Sequence, residues 1–248
     1  MFPCRLMTMM SEYNRGKISL YTDYFSLIFE NNDFIVINKQ ADINFHSEDG
    51  VFGVVVAAEK ALECKPYSGH RLDKMTSGII LLAKSSQIAA QLTAMFTTHS
   101  IQKYYVAISD KKPKKKQGLI KGGMEKSRRG MWKLTKQQNN VAITQFFSYS
   151  LGEGRRLFII KPHTGKTHQI RVALKSIGSA ICGDPLYAEK SNDYDRGYLH
   201  AYQIDFRLNG DDFSFHCESQ KGRLFNNEGY VKTMNEIDDV ALLNWPKV

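Results

Sequence analysis

Eight short runs in this chain have the composition of β-strands. Residues 24–30, 34–38, 78–83, 103–109, 142–149, 156–161, 201–208 and 213–217 are rich in β-branched and aromatic side chains, and most are bounded by turn formers. Only three segments, 51–62, 86–97 and 167–177, repeat apolar residues at helical spacing. In the last of these, Ile170, Ala173, Leu174 and Ile177 share one face, Thr167 is the expected cap and Gly178 stands just past the end. Asn209-Gly210, between the last two strands, is a hairpin signature. Many strands with a few helices between them predict an α+β fold with a mixed sheet. A further short helix is expected after Asn226, through Val240, Leu242 and Leu243.

No repeat and no Pro- or Ser-rich linker divides the 248 residues, so a single domain over 17–248 is expected behind a loose leader at 1–16. The longest apolar stretches, 54–58 and 79–83, fall far short of the roughly 20 residues a membrane helix needs. Cys4, Cys64, Cys182 and Cys217 lie far apart without a CxxC pair, which points to reduced structural thiols rather than a zinc site or a disulfide framework. The first ten residues hold no apolar core of a secretory signal. A soluble, cytoplasmic protein is the expectation.

Composition matters here for one reason, the formal charge of +9. Between Lys103 and Lys136 stand 12 of the 34 basic residues and only 2 of the 25 acidic ones, which leaves 22 against 23 elsewhere. The excess therefore belongs to one arm, 110–136, and to the strand before it. A concentrated block of charge attracts a polyanion and sets its position, and nucleic acid is the leading partner. Gly118, Gly122, Gly123 and Gly130 lie among these charges and suggest a flexible arm or hairpin. A solvated loop without a partner stands beside that reading. An anionic membrane fits less well, because no helical apolar stripe accompanies the charges.

Three motifs carry possible chemistry. His70–Gly78 (HRLDKMTSG) puts Asp73 on a loop that feeds an apolar strand, a rigid backing for a carboxylate aimed into a cleft. An Asp in such a place is also a common turn former. In Lys103–Ala107 (KYYVA) adjacent tyrosines on a strand must face opposite ways, so one can enter the core while the other stacks on a base. The third motif, 162–171 (PHTGKTHQIR), leads into the helix at 167–177. Its Gly-Lys-Thr triplet is not a phosphate loop, because Ile160 stands where that loop needs Gly. Arg171 sits at the border of the apolar stripe, placed either to reach a carboxylate or to remain a surface side chain.

Together these segments resemble the RluA family of pseudouridine synthases, with further matches in Asp33–Lys39 (DFIVINK), Gly183–Tyr187 (GDPLY) and Leu199-His200-Ala201. The resemblance runs from about residue 25 to 217. It implies the pseudouridine synthase catalytic fold, with a mainly antiparallel sheet, flanking helices and a central RNA-binding cleft. It also implies isomerisation of uridine in tRNA or rRNA, without cofactor or metal, by a chain expected to be a monomer. Carried over, Asp73 is the catalytic aspartate, Tyr105 stacks on the target base, Arg171 partners the aspartate and Arg71 fills the gap left by the flipped nucleotide. Lys114, Lys115, Lys116, Arg128 and Arg129 are the expected RNA contacts of the arm. Lys166 replaces the family's usual Arg, Ala173 its His, and Gln40 the Pro after Asn-Lys. A non-catalytic RNA-binding or ribosome-assembly factor that keeps the fold is the alternative, and a basic protein without RNA is a blander one.

Overall fold

The computed structural model describes residues 19–189 and 194–248, so the expected leader at 1–16 and Cys4 lie outside the described residues. Among the described residues no helix is long and apolar enough to cross a membrane. The chain divides into two compact units, 1–100 and 101–248.

The first unit contains β1 (Phe25–Glu30), β2 (Phe34–Lys39), α1 (Val54–Leu62), β3 (Tyr67–Ser68), β4 (Ser77–Ala83) and α2 (Ser86–Thr97). β1 pairs with β2, and β4 pairs with both β2 and β3, always antiparallel. Every residue of β2 and β4 is buried, which is why both read as continuous apolar runs rather than as an alternation. α2 occupies the predicted span, its first turn capped by the Ser85 hydroxyl, which accepts the Ile88 N–H at 3.2 Å. α1 starts at Val54 rather than at 51. Val51 is taken by a bridge to Glu48 across a turn in which Asp49 and Gly50 both have positive φ.

The second unit contains β5 (Gln102–Ser109), β6 (Gln117–Lys126), β7 (Trp132–Thr135), β8 (Val141–Gly152), β9 (Arg155–Pro162), α3 (Gln169–Ser176), β10 (Leu199–Leu208), β11 (Asp211–His216) and α4 (Glu228–Ile237). Its strands follow the order β11-β10-β5-β9-β8-β6-β7, all antiparallel. The α+β, mainly antiparallel class is thus the one the strand pattern and the family resemblance imply. Asn209 and Gly210 form the two-residue hairpin turn, with φ of 53° and 97°.

Two expectations need correction, and a third is narrowed to one of its alternatives. α3 begins two residues late, with His168 rather than Thr167 at the cap and in left-handed conformation. The Gln169 amide holds this turn: its Oε1 accepts from Lys166 N–H (2.9 Å) and the Thr164 hydroxyl (2.7 Å), and its Nε2 donates to Ile143 O and Thr144 Oγ1, both at 3.0 Å. The C-terminal helix is α4, capped by Asn227, and only a 3-10 turn spans Val240–Leu242. The basic arm is an ordered hairpin, β6–β7, whose inner face packs Met124, Met131, Trp132 and Leu134 on Val172 of α3 and on Tyr187. Gly123 permits close approach rather than flexibility. A Cβ on Gly123 would lie 2.3 Å from the Gln137 carbonyl oxygen, where the chain folds back over β6.

Candidate active site

In the first unit Asp73 stands on the loop between β3 and β4, where its carbonyl accepts the Thr76 N–H at 3.0 Å. Leu72 and Met75 are buried on either side, which anchors the loop and leaves Asp73 half-buried between them. Nothing in the sequence marks a role for Lys39, the last residue of the DFIVINK segment. It is fully buried, and its ammonium donates to the carbonyls of Gln40 (2.8 Å), Ile43 (2.7 Å) and Lys74 (3.1 Å). Three acceptors require three N–H hydrogens, so the side chain is the charged ammonium. Its third bond fixes the peptide directly after Asp73–Lys74. On the other side of the loop His70 Nε2 accepts the Leu81 N–H at 2.9 Å and its ring stacks on Phe96, extending the short β3 ladder with a side chain. The imidazole proton is therefore on Nδ1. Arg71 is exposed beside it.

In the second unit β5 separates the two tyrosines as strand alternation requires. Tyr104 is buried, its ring 5.9 Å from that of Trp245 and 5.2 Å from the Lys161 ammonium. Burial, with Asp205 and Asp239 nearby, pushes its phenol up to about 12. Tyr105 points to the other face and is half-buried, level with Ile160 of β9 and Ala201 of β10. Lys103 shares the Tyr105 face by alternation, and burial lowers its ammonium pKa.

Arg171 is not a surface residue but is 4% exposed, and it forms a bidentate pair with Asp184: Nε to Oδ2 at 2.7 Å and Nη2 to Oδ1 at 2.8 Å. Asp184 belongs to the GDPLY segment, and spacing carried no signal for it because the pair spans 13 residues and a loop. Asp184 Oδ1 also accepts the N–H of Leu186 (2.9 Å) and Tyr187 (3.1 Å). The Arg171 guanidinium lies 5.1 Å from the centroid of the Tyr187 ring. The Tyr187 hydroxyl accepts the Trp132 N–H of β7 at 2.7 Å and sits 3.0 Å from His168 Nδ1.

The family described as RNA pseudouridylate synthase matches residues 33–176, which include the Asp73 loop, β5 and all of α3. An RNA pseudouridine synthase of Haemophilus influenzae, itself uncharacterised, is 45% identical over 80% of this chain and 89% of its own. This chain belongs to the RNA pseudouridine synthases. Ribosomal large subunit pseudouridine synthase C of Rickettsia typhi, a relative within the RluA branch, is 33% identical over 75% of this chain, and the match spans 63% of that longer protein. The human RNA pseudouridylate synthase domain containing 1 shares the fold at a TM-score of 0.68, with 20% identity over 79% of this chain and 83% of its own. By family the chain is an isomerase that acts on RNA.

The basic residues expected to meet the RNA form two groups rather than one. Lys114, Lys115 and Lys116 are exposed on the loop before β6, whereas Arg128 and Arg129 are exposed at the tip of the β6–β7 hairpin. The ten residues of β6 separate them by roughly 30 Å. One other cluster imitates a catalytic pair. His200 and Cys217 approach at 3.6 Å between Nε2 and Sγ, but His200 Nε2 donates to the Cys217 carbonyl at 2.8 Å. Burial drives the imidazole down to about 3 and the thiol up to about 12, so neither imidazolium nor thiolate forms near neutral pH. Cys64, Cys182 and Cys217 are free thiols, as expected. Among the described residues no group of three or more His, Cys, Asp or Glu is arranged to hold a metal.

Proposed function

We propose that this synthase isomerises specific uridines of structured RNA, in the cytoplasm and as a monomer, with Asp73 as its catalytic carboxylate. The observation that carries the reading is the Asp73 loop: a half-buried carboxylate between two buried anchors, backed by the fully buried β4 and tied down by Lys39. The reaction breaks the C1′–N1 bond of uridine and forms C1′–C5, while C5 loses a hydrogen and N1 gains one. Such a step needs a fixed carboxylate near the sugar, either to attack C1′ or to take a proton from C2′. Both roles remain compatible with Asp73. Tyr105 would stack on the base, Arg171 would partner Asp73, and Arg71 would fill the gap of the flipped nucleotide, offsetting an unstacking cost of a few kcal/mol. The exposed lysines before β6 and the hairpin arginines would hold phosphates. Relatives named for the large ribosomal subunit favour ribosomal over transfer RNA.

The test maps pseudouridine in total RNA from cells with the gene, without it, and complemented by Asp73→Asn. One or more pseudouridines should vanish with the gene and stay absent with the variant, which still binds RNA. Modification restored by Asp73→Asn would remove Asp73 from its role. An unchanged map in the deletion would favour the binding-factor alternative.

A further inference from the structure

The two exposed basic groups of the second unit stand at opposite ends of one stiff element. Lys114, Lys115 and Lys116 lie just before β6 and Arg128 and Arg129 just past its end, with exposed Lys121 between them. Both ends are tied. The Lys116 carbonyl accepts the Ser148 N–H of β8 at 2.6 Å, so the ladder reaches back to the lysines. The tip is closed by Ser127 N–H to Met131 O at 2.7 Å and Met131 N–H to Arg128 O at 3.1 Å. Between the ends, Met124, Trp132 and Leu134 dock the hairpin on Val172 of α3 and on Tyr187. The spacing of the two groups, roughly 30 Å along ten extended residues, is therefore set by the fold. From Lys114 to Lys136 the chain carries nine basic residues and one acidic one, Glu125, which pairs with Lys133 at 3.6 Å.

That arrangement selects among forms of RNA. Sites for single strands stack bases on exposed aromatic side chains beside the charges. By strand alternation, the face of the hairpin turned away from α3 carries Gln117, Leu119, Lys121, Glu125, Lys133 and Thr135, and Trp132 points the other way. A surface that offers charge without a stacking platform suits phosphates whose bases are already stacked on one another. In a duplex the helix holds those phosphates, and the same groove edge returns to one side once per turn, a distance comparable to that between the two basic groups. A stiff duplex meets both groups without the ordering cost that a flexible strand pays. We propose that the β6–β7 hairpin is a two-point docking surface for double-helical RNA, with Lys114, Lys115 and Lys116 at one point and Arg128 and Arg129 at the other, on phosphates about one helical turn apart. The inference rests on the reading given above that these residues hold phosphates, and it adds the form of the RNA: the target uridine belongs to a molecule with a stem of at least one turn. The sequence of that stem is not read here, because phosphate contacts position without specifying.

The experiment measures binding of the full chain to synthetic hairpin RNAs that share one loop and have stems of about 6 and about 16 base pairs, and to an unpaired strand as long as the larger hairpin. Three variants are compared with the parent. One combines Lys114→Ala, Lys115→Ala and Lys116→Ala, the second combines Arg128→Ala and Arg129→Ala, and the third carries all five changes. Each removes only exposed side chains, and thermal melts check that every variant is folded. Should an alanine variant melt early, glutamine at the same positions removes the charge and keeps most of the side chain, with the same expected losses. The parent should bind the long stem at least tenfold more tightly than the short stem or the unpaired strand. Each partial variant should lose at least fivefold on the long stem. On the short stem it should lose no more than about twofold, because a short stem reaches one group at a time and the other group still holds it. The five-residue variant measures what extra length alone contributes, and it should separate the two stems by less than threefold. Equal affinity of the parent for both stems, tighter binding of the unpaired strand, or losses of the same size on both stems each overturn the inference and leave the residues as phosphate contacts. If no variant weakens binding to any of the RNAs, the phosphate reading falls and the inference with it.

Discussion

Each unit of this synthase buries a cation, Lys39 in the first and Arg171 in the second, and the two are held in different ways. Lys39 gives its hydrogens to three backbone carbonyls, so what it fixes is main chain, including the peptide that follows Asp73–Lys74. Arg171 gives its fork to a carboxylate, so what Asp184 fixes is a side-chain head. A point charge with rotatable donors suits scattered carbonyls, and a planar guanidinium suits a carboxylate. The contrast separates two tasks: keeping a loop in shape, and orienting a charged group.

The comparison breaks most visibly at Lys39. Lys39→Met leaves three carbonyls without their donor and should destabilise the fold by roughly 3 kcal/mol or more, measured by urea unfolding. A loss below about 1 kcal/mol would mean that the ammonium does not hold the loop.

A third buried group sharpens the rule. His200 donates to the Cys217 carbonyl, and its imidazole is held neutral, with the pKa lowered to about 3 by burial. Between about pH 3 and 6.5 the unfolded chain therefore binds a proton that the folded chain refuses. Stability contributed by this group is complete above pH 6.5 and is lost as pH falls toward 3. Urea midpoints at pH 7 and pH 4 should show the parent losing roughly 3 kcal/mol more than His200→Gln across that interval. Equal losses in the two proteins would show that His200 takes up its proton without unfolding.

The smallest effect belongs to charges that stay in water. Replacing Lys114, Lys115 and Lys116 with Ala should leave stability unchanged and reduce the salt dependence of RNA binding by about 0.7 log units per lost phosphate contact on a single strand. An unaltered slope would mark this loop as a bystander and leave the hairpin tip, some 30 Å along β6, as the phosphate contact.

Features that depend on near neighbours were legible in the amino-acid order. Continuous apolar runs marked β2 and β4, Asn209-Gly210 marked its hairpin, and strand alternation alone sent Tyr104 and Tyr105 to opposite faces. Backbone geometry decides these within a few residues. The Asp73 loop was legible for the same reason, because a turn feeding an apolar strand is a local pattern.

The tertiary structure decided what depends on distant partners. Gln169 overrode Thr167 as organiser of the α3 start by reaching the chain at Ile143 and Thr144, and the charged arm became a docked hairpin because its alternate face is apolar and α3 offered a surface to cover. Asp184 was invisible as a partner of Arg171 for the same reason. Sequence order sets which groups carry charge, but only folding removes the water that would otherwise satisfy them, and that desolvation forces a buried charge or polar group to find a specific partner.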